Sequence, residues 1–246
     1  MAMSRGVRLG LIGTATFIVC LVAFAPASLV RPLLPVSGPV TLTAPAGTLW
    51  HGSADLGLAG TPLGRVVWSF APSTLLRAQL GFDLELTGAH AQLRGRAATS
   101  ARAAHANVAG TIDVALLGGI LTRYDLHIPG NLTVEHLDIT APYTQKLPDV
   151  HGDLKWSGGD VAYRLSGRDH RVTLPPLVGF VDSSAGQPGL TAYEVDDKTP
   201  LLLAHLAQDG MATIGITKQF TKLIGDPWPG GEPDHAVVLE VGEKLF

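Results

Sequence analysis

Beyond about residue 45 the chain is written in short stretches of period two, and this alternation restricts its fold more than any other feature. Val66, Trp68 and Phe70 are interleaved with Val67 and Ser69, and Phe82, Leu84 and Leu86 with Asp83, Glu85 and Thr87. Ile112 and Val114 follow the same rule, as do Leu132 and Val134, then Val161, Tyr163 and Leu165, then Val172 and Leu174 up to Pro175-Pro176. Met211–Thr217 and Ala236–Val241 are later candidates. Alternate residues of a strand face opposite sides, so each stretch predicts a half-buried β-strand. Short strands separated by Gly-rich and Pro-rich turns predict an all-β, antiparallel domain with few short helices. A sheet with one apolar face needs a cover: a second sheet, its own curl, or something apolar from outside. With few helices available, a curved sheet is expected, whose concave side holds either its own side chains alone or a lipid as well.

Helix signals are brief. Ser73–Leu80 reads as one short turn, begun by Pro72-Ser73 and ended by Gly81. Thr199–Ala207 and Thr217–Ile224 are open between helix and strand, with Thr217 as a cap and Gly225 as a stop for the second.

The chain is 46% apolar and only 16% charged, which excludes a disordered, highly charged polymer. A single cysteine excludes an internal disulfide framework and a Cys-based zinc site.

The N-terminus has a different grammar. Residues 9–30 contain no charge and would span about 33 Å as a helix, enough for the ~30 Å hydrocarbon core of a bilayer. Arg5 and Arg8 precede this run, and no acidic residue occurs before Asp55. The positive-inside bias then holds residues 1–8 in the cytoplasm and sends the remainder across the inner membrane. The competing reading is a cleaved signal peptide, with Ala23-Phe24-Ala25 or Ala25-Pro26-Ala27 as the cleavage site. The expected organisation is an anchor at 9–30, a Pro-rich spacer at 31–45 and a periplasmic β-rich domain at 46–246. That exported part carries three fewer basic residues than the whole chain and all twenty-one acidic ones, a formal charge of −6. It is not built to grip nucleic acid or an anionic surface.

Gly47-Thr48-Leu49-Trp50-His51-Gly52-Ser53-Ala54-Asp55 places His, Ser and Asp within five residues. On one strand face these lie about 6.5 Å apart, too far for a hydrogen-bonded triad, and no G-x-S-x-G elbow is present. A tight turn at His51-Gly52 with Trp50 as anchor is the expectation. The nine histidines have no metal-ligand spacing, so no catalytic, cofactor-binding or metal residue is assigned. Trp50-His51-Gly52-Ser53 and Trp156-Ser157-Gly158-Gly159 share a short pattern that an internal duplication would explain. Gly225–Gly231, carrying Trp228 between two prolines, is either a rigid corner or a docking knob for a partner. The apolar end of the chain, Leu245-Phe246, suggests that the last strand is tied into the sheet.

These residues carry a resemblance. An N-terminal apolar run, then Gly47-Thr48-Leu49-Trp50-His51-Gly52-Ser53-Ala54, then Leu63-Gly64-Arg65-Val66-Val67-Trp68 and Pro72-Ser73-Thr74-Leu75-Leu76, resemble the type II secretion system protein N family. Pro227-Trp228-Pro229-Gly230 and the closing strand look similar to the C-terminal region of that family. The resemblance implies structural motif roles for Gly47, Thr48, Leu49, Trp50, Gly52, Ser53 and Trp68. It also implies a non-enzymatic accessory component of the Gram-negative inner membrane. Such a component would act as a scaffold among other secretion subunits in the export of folded proteins. A more distant similarity to AsmA-like periplasmic proteins implies instead a lipid-binding or lipid-transfer module. Small size and a single anchor favour the former.

Overall fold

The computed structural model describes residues 14, 17, 20, 21, 23–29, 40–58, 60–122, 125–165, 168–184 and 186–244. Residues 1–8, expected in the cytoplasm, much of the apolar run 9–30, residues 31–39 of the expected spacer and Leu245-Phe246 lie outside the described residues. Among the described residues no helix is long and apolar enough to cross a membrane.

The chain is predominantly β. The first half contains β1 (Val40–Gly47), β2 (His51–Leu58), β3 (Thr61–Phe70), β4 (Leu80–Thr87), β5 (Ala91–Thr99) and β6 (Ala103–Asp113). The middle contains β7 (Leu126–His127), β8 (Asn131–Pro142), β9 (Asp149–Trp156), β10 (Gly159–Leu165) and β11 (Arg168–Leu174). The last part contains β12 (Leu177–Ser184), β13 (Gln187–Glu194), β14 (Pro200–Leu206), β15 (Met211–Thr217) and β16 (Val237–Lys244). Thirteen strands form one antiparallel sheet in the order β1-β2-β3-β4-β5-β6-β8-β9-β12-β13-β14-β15-β16, a meander with two excursions. The excursions supply a three-stranded sheet, β11-β10-β7. Pairing of sequence neighbours keeps each connection short, which suits a chain with so many Gly and Pro breaks.

Helices are short: a 3-10 turn at Pro72–Arg77, a second at Val114–Leu117 running into Gly118–Leu121, and Lys218–Leu223. The Lys218–Leu223 helix begins at Thr217, whose hydroxyl accepts from the Phe220 N–H at 3.3 Å and donates toward the Pro200 carbonyl at 2.8 Å. Gly225, at φ +79°, follows the helix end. Thr199–Ala207 resolves as strand β14.

Three sequence expectations are corrected. The first 3-10 turn stops at Arg77 because Ala78 turns left-handed at φ 53°; Gly81 lies inside β4, its missing side chain leaving room for Thr74. His51 and Gly52 are not a turn but the first residues of β2; the turn is Thr48-Leu49-Trp50, closed by the Thr48 N–H on the His51 carbonyl at 2.9 Å. The spacer does not reach residue 45, because β1 starts at Val40. Pro45 is tolerated there because β1 is an edge strand whose register shifts between Thr43 and Ala46.

Buried apolar side chains mix small and large: Ala25, Ala27, Ala54, Ala71, Ala91 and Ala103 beside Trp68, Leu86, Val134, Leu174 and Leu201. Larger apolar residues of the main sheet are mostly half-buried, the burial expected of a single layer.

Candidate functional site

The registers sort the main sheet into two chemically distinct faces. Cross-strand partners share a face, so a row can be followed from strand to strand. One row runs Ala54, Val66, Leu86, Leu93, Gly110, Val134, Leu154, Gly179, Ala192, Leu202, Ile216 and Leu239. The next on the same face runs Gly52, Trp68, Leu84, Gly95, Val108, Leu137, Gly152, Val181, Leu190, Ala204, Ile214 and Val241. A third, shorter row is Phe70, Phe82, Ala97, Ala106, Ile139 and Val150. None of the three contains a charged or hydrogen-bonding side chain other than the Trp68 indole.

From β2 to β9 the opposite face is largely polar; beyond β9 its rows continue as Val178, Tyr193 and Pro200 and as Phe180, Thr191, Leu203 and Gly215. One of its rows is Asp55, Arg65, Thr87, Gln92, Thr111, Thr133 and Lys155; another is Ser69, Asp83, Arg96, Asn107, Asp138 and His151. Ion pairs cross the strands here, Arg65–Asp55 at 3.3 Å, Arg96–Asp83 at 2.7 Å and Lys155–Glu135 at 2.6 Å, joined by a His151–Asp182 hydrogen bond at 2.6 Å. Each is solvent-exposed and worth at most about 1 kcal/mol, so this ladder labels the outside more than it stabilises the sheet. The Asp83 carboxylate, through its hydrogen bond and its charge, holds the Arg96 guanidinium above its ordinary pKa. A polar depression of about 580 Å³ beside the first 3-10 turn is lined by Arg77, Arg96, His105, Asn107 and Asp138, among others.

The motif residues build the corner where the N-terminal segment meets the apolar face. Gly47 enters the turn at φ +87°. The Thr48 hydroxyl accepts from the His51 N–H at 3.1 Å. Leu49 is held from both sides: its N–H donates to the Ala25 carbonyl at 2.7 Å, and its carbonyl accepts from Trp68 Nε1 at 3.0 Å. Trp50 packs edge-on to Phe70 at 5.3 Å and stacks over Phe82 at 6.5 Å. Gly52 lies under the Trp68 ring, where an added Cβ would stand 2.5 Å from the indole. Ala27, 1% exposed, is clustered with Ala54 and Trp68, and Leu42, Val66, Phe82 and Leu84 pack against that cluster.

His51, Ser53 and Asp55 alternate with Gly52 and Ala54 and so lie on the polar face, where Asp55 pairs with Arg65. Among the described residues there is no group of three or more His, Cys, Asp or Glu that could hold a metal ion. Trp156 ends β9, with its indole donating to the Pro129 carbonyl at 2.9 Å. In that geometry it matches Trp68, which likewise secures a loop carbonyl beside a glycine, more than it matches Trp50. Trp228 is 40% exposed, on a corner folded against the Lys218–Leu223 helix. The Trp228 N–H donates to Thr221 Oγ1 at 3.1 Å, and Lys218 Nζ donates to the Gly230 carbonyl at 2.6 Å.

The sequence expectation named the apolar positions of β3 and β4 but missed those of β5, β12 and β13. There Gly and Ala fill many inward sites, and the remaining signal is an alternation such as Ala91, Leu93, Gly95, Ala97.

The family model described as Type II secretion system (T2SS), protein N matches residues 38–221. The matched span includes the motif corner and ends before Trp228 and β16. The type II secretion system protein N of Vibrio cholerae serotype O1 (strain ATCC 39315 / El Tor Inaba N16961) is 29% identical over 142 residues, 57% of this chain and 51% of that protein. The match therefore spans about half the length of that curated relative. No solved structure matches. With the turn at Gly47, the indole of Trp68 and the strands between them inside a match covering most of its length, this chain belongs to the type II secretion system protein N family.

Proposed function

We propose that this protein is an accessory component of the type II secretion apparatus. Residues 9–30 tether it to the inner membrane with the N-terminus in the cytoplasm, and its sheet stands in the periplasm as a scaffold for other secretion subunits. The observation that carries the reading is the junction between the apolar run and the sheet. The Leu49 N–H on the Ala25 carbonyl, the Pro26–Thr48 bridge and the burial of Ala27 seat the end of that run on the motif corner. A membrane helix ending there would hold the sheet at a defined orientation, which a scaffold requires and a flexible tether would not supply. Subunits would be engaged along the outer edge of β16, which pairs with β15 on its other side, and through Trp228. An exposed edge that carries Val237, Leu239 and Val241 suits strand addition.

Affinity purification of the full chain from mildly solubilised membranes tests this reading. Other secretion subunits are expected in the eluate, and secreted enzymes are expected to accumulate in the periplasm of a deletion strain. An eluate without secretion subunits, together with unimpaired secretion, would refute it. A second reading, an AsmA-like lipid-binding or lipid-transfer module, is favoured by the uncharged rows of the sheet.

A further inference from the structure

We infer that the outer edge of β16 is occupied by β16 of a second copy of this chain, the two strands running antiparallel about a two-fold axis at Gly242. The inference rests on the reading of that edge as a docking strand and names its occupant; the Trp228 corner is left to other subunits.

The two edges of the thirteen-stranded sheet are built differently. β1 is blunted: Pro45 has no N–H to offer, Ala44 turns left-handed at φ 49°, and the register breaks between Thr43 and Ala46. Prolines and bulges are devices by which an edge strand refuses a further strand. Over Leu239–Lys244 β16 carries none of them. It pairs with β15 without a break from Met211–Lys244 to Ile216–Leu239, and leaves Leu239 and Val241 48% and 55% exposed. A head-to-tail contact of β16 on β1 would build an open filament, and the blunting of β1 opposes it. A β16–β16 contact closes on itself.

The charges select the register. Glu240, Gly242 and Lys244 lie on one face of β16, opposite Gly215, Thr213 and Met211 of β15. Neither Glu240 nor Lys244 has an ion pair among the described residues. Four residues apart on a strand, they stand about 13 Å from each other, too far to pair within one chain. A closed antiparallel pair is centred on a residue that faces its own copy. With Gly242 at the centre, Glu240 lies opposite Lys244 of the second copy, and Lys244 opposite Glu240 of the second copy. Opposite residues share a face with Cβ atoms about 4.5–5.5 Å apart, so both pairs form.

The neighbouring registers lack this match. A centre at Glu240 or Glu243 sets a carboxylate against its own copy, and a centre at Val241 sets Lys244 opposite Val238. A centre at Leu239 would match Lys244 with Asp234, which lies outside the strand and is held by Lys222 at 2.6 Å. Exposed ion pairs contribute little affinity, so their part here is to fix the register. Gly242 keeps the centre free of side chains, and on the other face Val241 stands diagonal to its own copy at about 7–8 Å. Because opposite residues share a face, the apolar faces of the two copies run on as one surface.

The test uses the full chain in its own membranes, with Cys20, the one cysteine of the sequence, replaced by serine. Gly242→Cys is added to that background; a Cβ there meets nothing closer than Met211 Sδ at 3.5 Å, so the strand accepts it. Glu240→Cys and Lys244→Cys are made singly and are also combined by co-expressing two differently tagged copies. After oxidation with copper–phenanthroline, a product of twice the chain mass is expected from Gly242→Cys and from the co-expressed pair. It should exceed that from Glu240→Cys or Lys244→Cys alone by about tenfold or more. In the Gly242→Cys chain, Glu240→Lys is expected to lower the product severalfold, and Lys244→Glu added to it to restore the product. No product, equal product from every position, or a product unchanged by Glu240→Lys would overturn the inference. A product of another mass would overturn it too, while keeping β16 as the docking edge for a different subunit. An affinity eluate without secretion subunits would refute the scaffold role and leave the cross-link as it is, so the two failures are told apart.

Discussion

Trp68 joins three features of the motif corner, and its replacement gives a quantitative test of how that corner is held. The ring is 7% exposed, lies over Gly52 and against Ala27, and donates its N–H to the Leu49 carbonyl at 3.0 Å. An aromatic of this size buries up to about 250 Å². At ~25 cal/mol per Å² that gives about 6 kcal/mol, an upper bound because the unfolded chain is already partly compact. Truncating buried aromatics to Ala costs about 3–5 kcal/mol, and Trp68→Ala is expected in that range. Trp68→Phe keeps most of the ring over Gly52 and loses the N–H, so about 1 kcal/mol for the hydrogen bond plus a smaller packing loss is expected. Urea titration of the full chain in mild detergent, followed by far-ultraviolet circular dichroism, measures both. The Ala variant should also expose residues 25–29 to protease, because Ala27 loses the ring it packs on. The reasoning fails if Trp68→Ala lies within about 1 kcal/mol of the parent, or if Phe is as damaging as Ala, since truncation must cost the whole ring.

Four further outcomes follow from the same geometry. Gly52→Ala, whose Cβ would stand 2.5 Å from the Trp68 ring and 2.7 Å from the Ala46 carbonyl, should cost about 1–3 kcal/mol, while Gly231→Ala, with open space around it, should be near neutral in the same titration. Val134→Asp places a carboxylate on the apolar face at a site 6% exposed and should cost several kcal/mol more than Thr133→Asp on the polar face; equal costs would contradict the assignment of faces. Thr217→Val removes the cap of the Lys218–Leu223 helix and the bond to the Pro200 carbonyl, and should lower stability by about 1–2 kcal/mol, read from the shift in urea midpoint. Acid should weaken the fold through Asp197, held below the ordinary carboxylate range by the Thr199 N–H and then its hydroxyl. A depressed folded pKa contributes stability fully above the unfolded value of about 3.9 and loses it as pH falls through the folded value, so Asp197→Asn should flatten the acid limb of the stability profile; an unaltered limb would refute this.

How far the fold could be read in advance depended on side-chain size. β3, β4, β8 and β15 announced themselves because large apolar residues alternate with polar ones. β5 and β13 stayed hidden because their inward positions include Ala91, Gly95, Ala97 and Ala192, which carry too little hydrophobic contrast to mark a period. β1 was disguised by Pro45, which an edge strand accepts and a central strand would not. Strand order was illegible because it depends on partners distant from each strand, and no local pattern encodes that β9 passes over two strands to pair with β12. At the candidate site, the motif block was legible as a unit while its role was not. The alternation that separates His51, Ser53 and Asp55 from Gly52 and Ala54 puts the chemically suggestive residues on the polar face and the plain ones on the apolar face.

That inversion bears on how the motif serves the whole chain. Gly47, Thr48, Leu49, Gly52 and Trp68 contribute a turn, two held backbone groups of Leu49 and a flat surface over a missing side chain, none of which is chemistry on a substrate. What they fix is the position of Ala25–Leu29 against the first strands. A sheet thirteen strands wide amplifies any freedom at that joint, since rotation by about 10° at β1 would move β16, ~57 Å along the sheet, by roughly 10 Å. A joint made from backbone hydrogen bonds and a buried indole restrains that rotation where a flexible Gly-rich linker would leave it free. With residues 9–30 as the proposed tether, the most recognisable residues of the chain would set the angle of the sheet relative to it, and the broad apolar face, built from Leu, Val, Ala and Gly, would be the surface so aimed. Inserting two glycines between Ala25 and Pro26 should then release Ala27 and lower stability as Trp68→Ala does, read in the same urea titration.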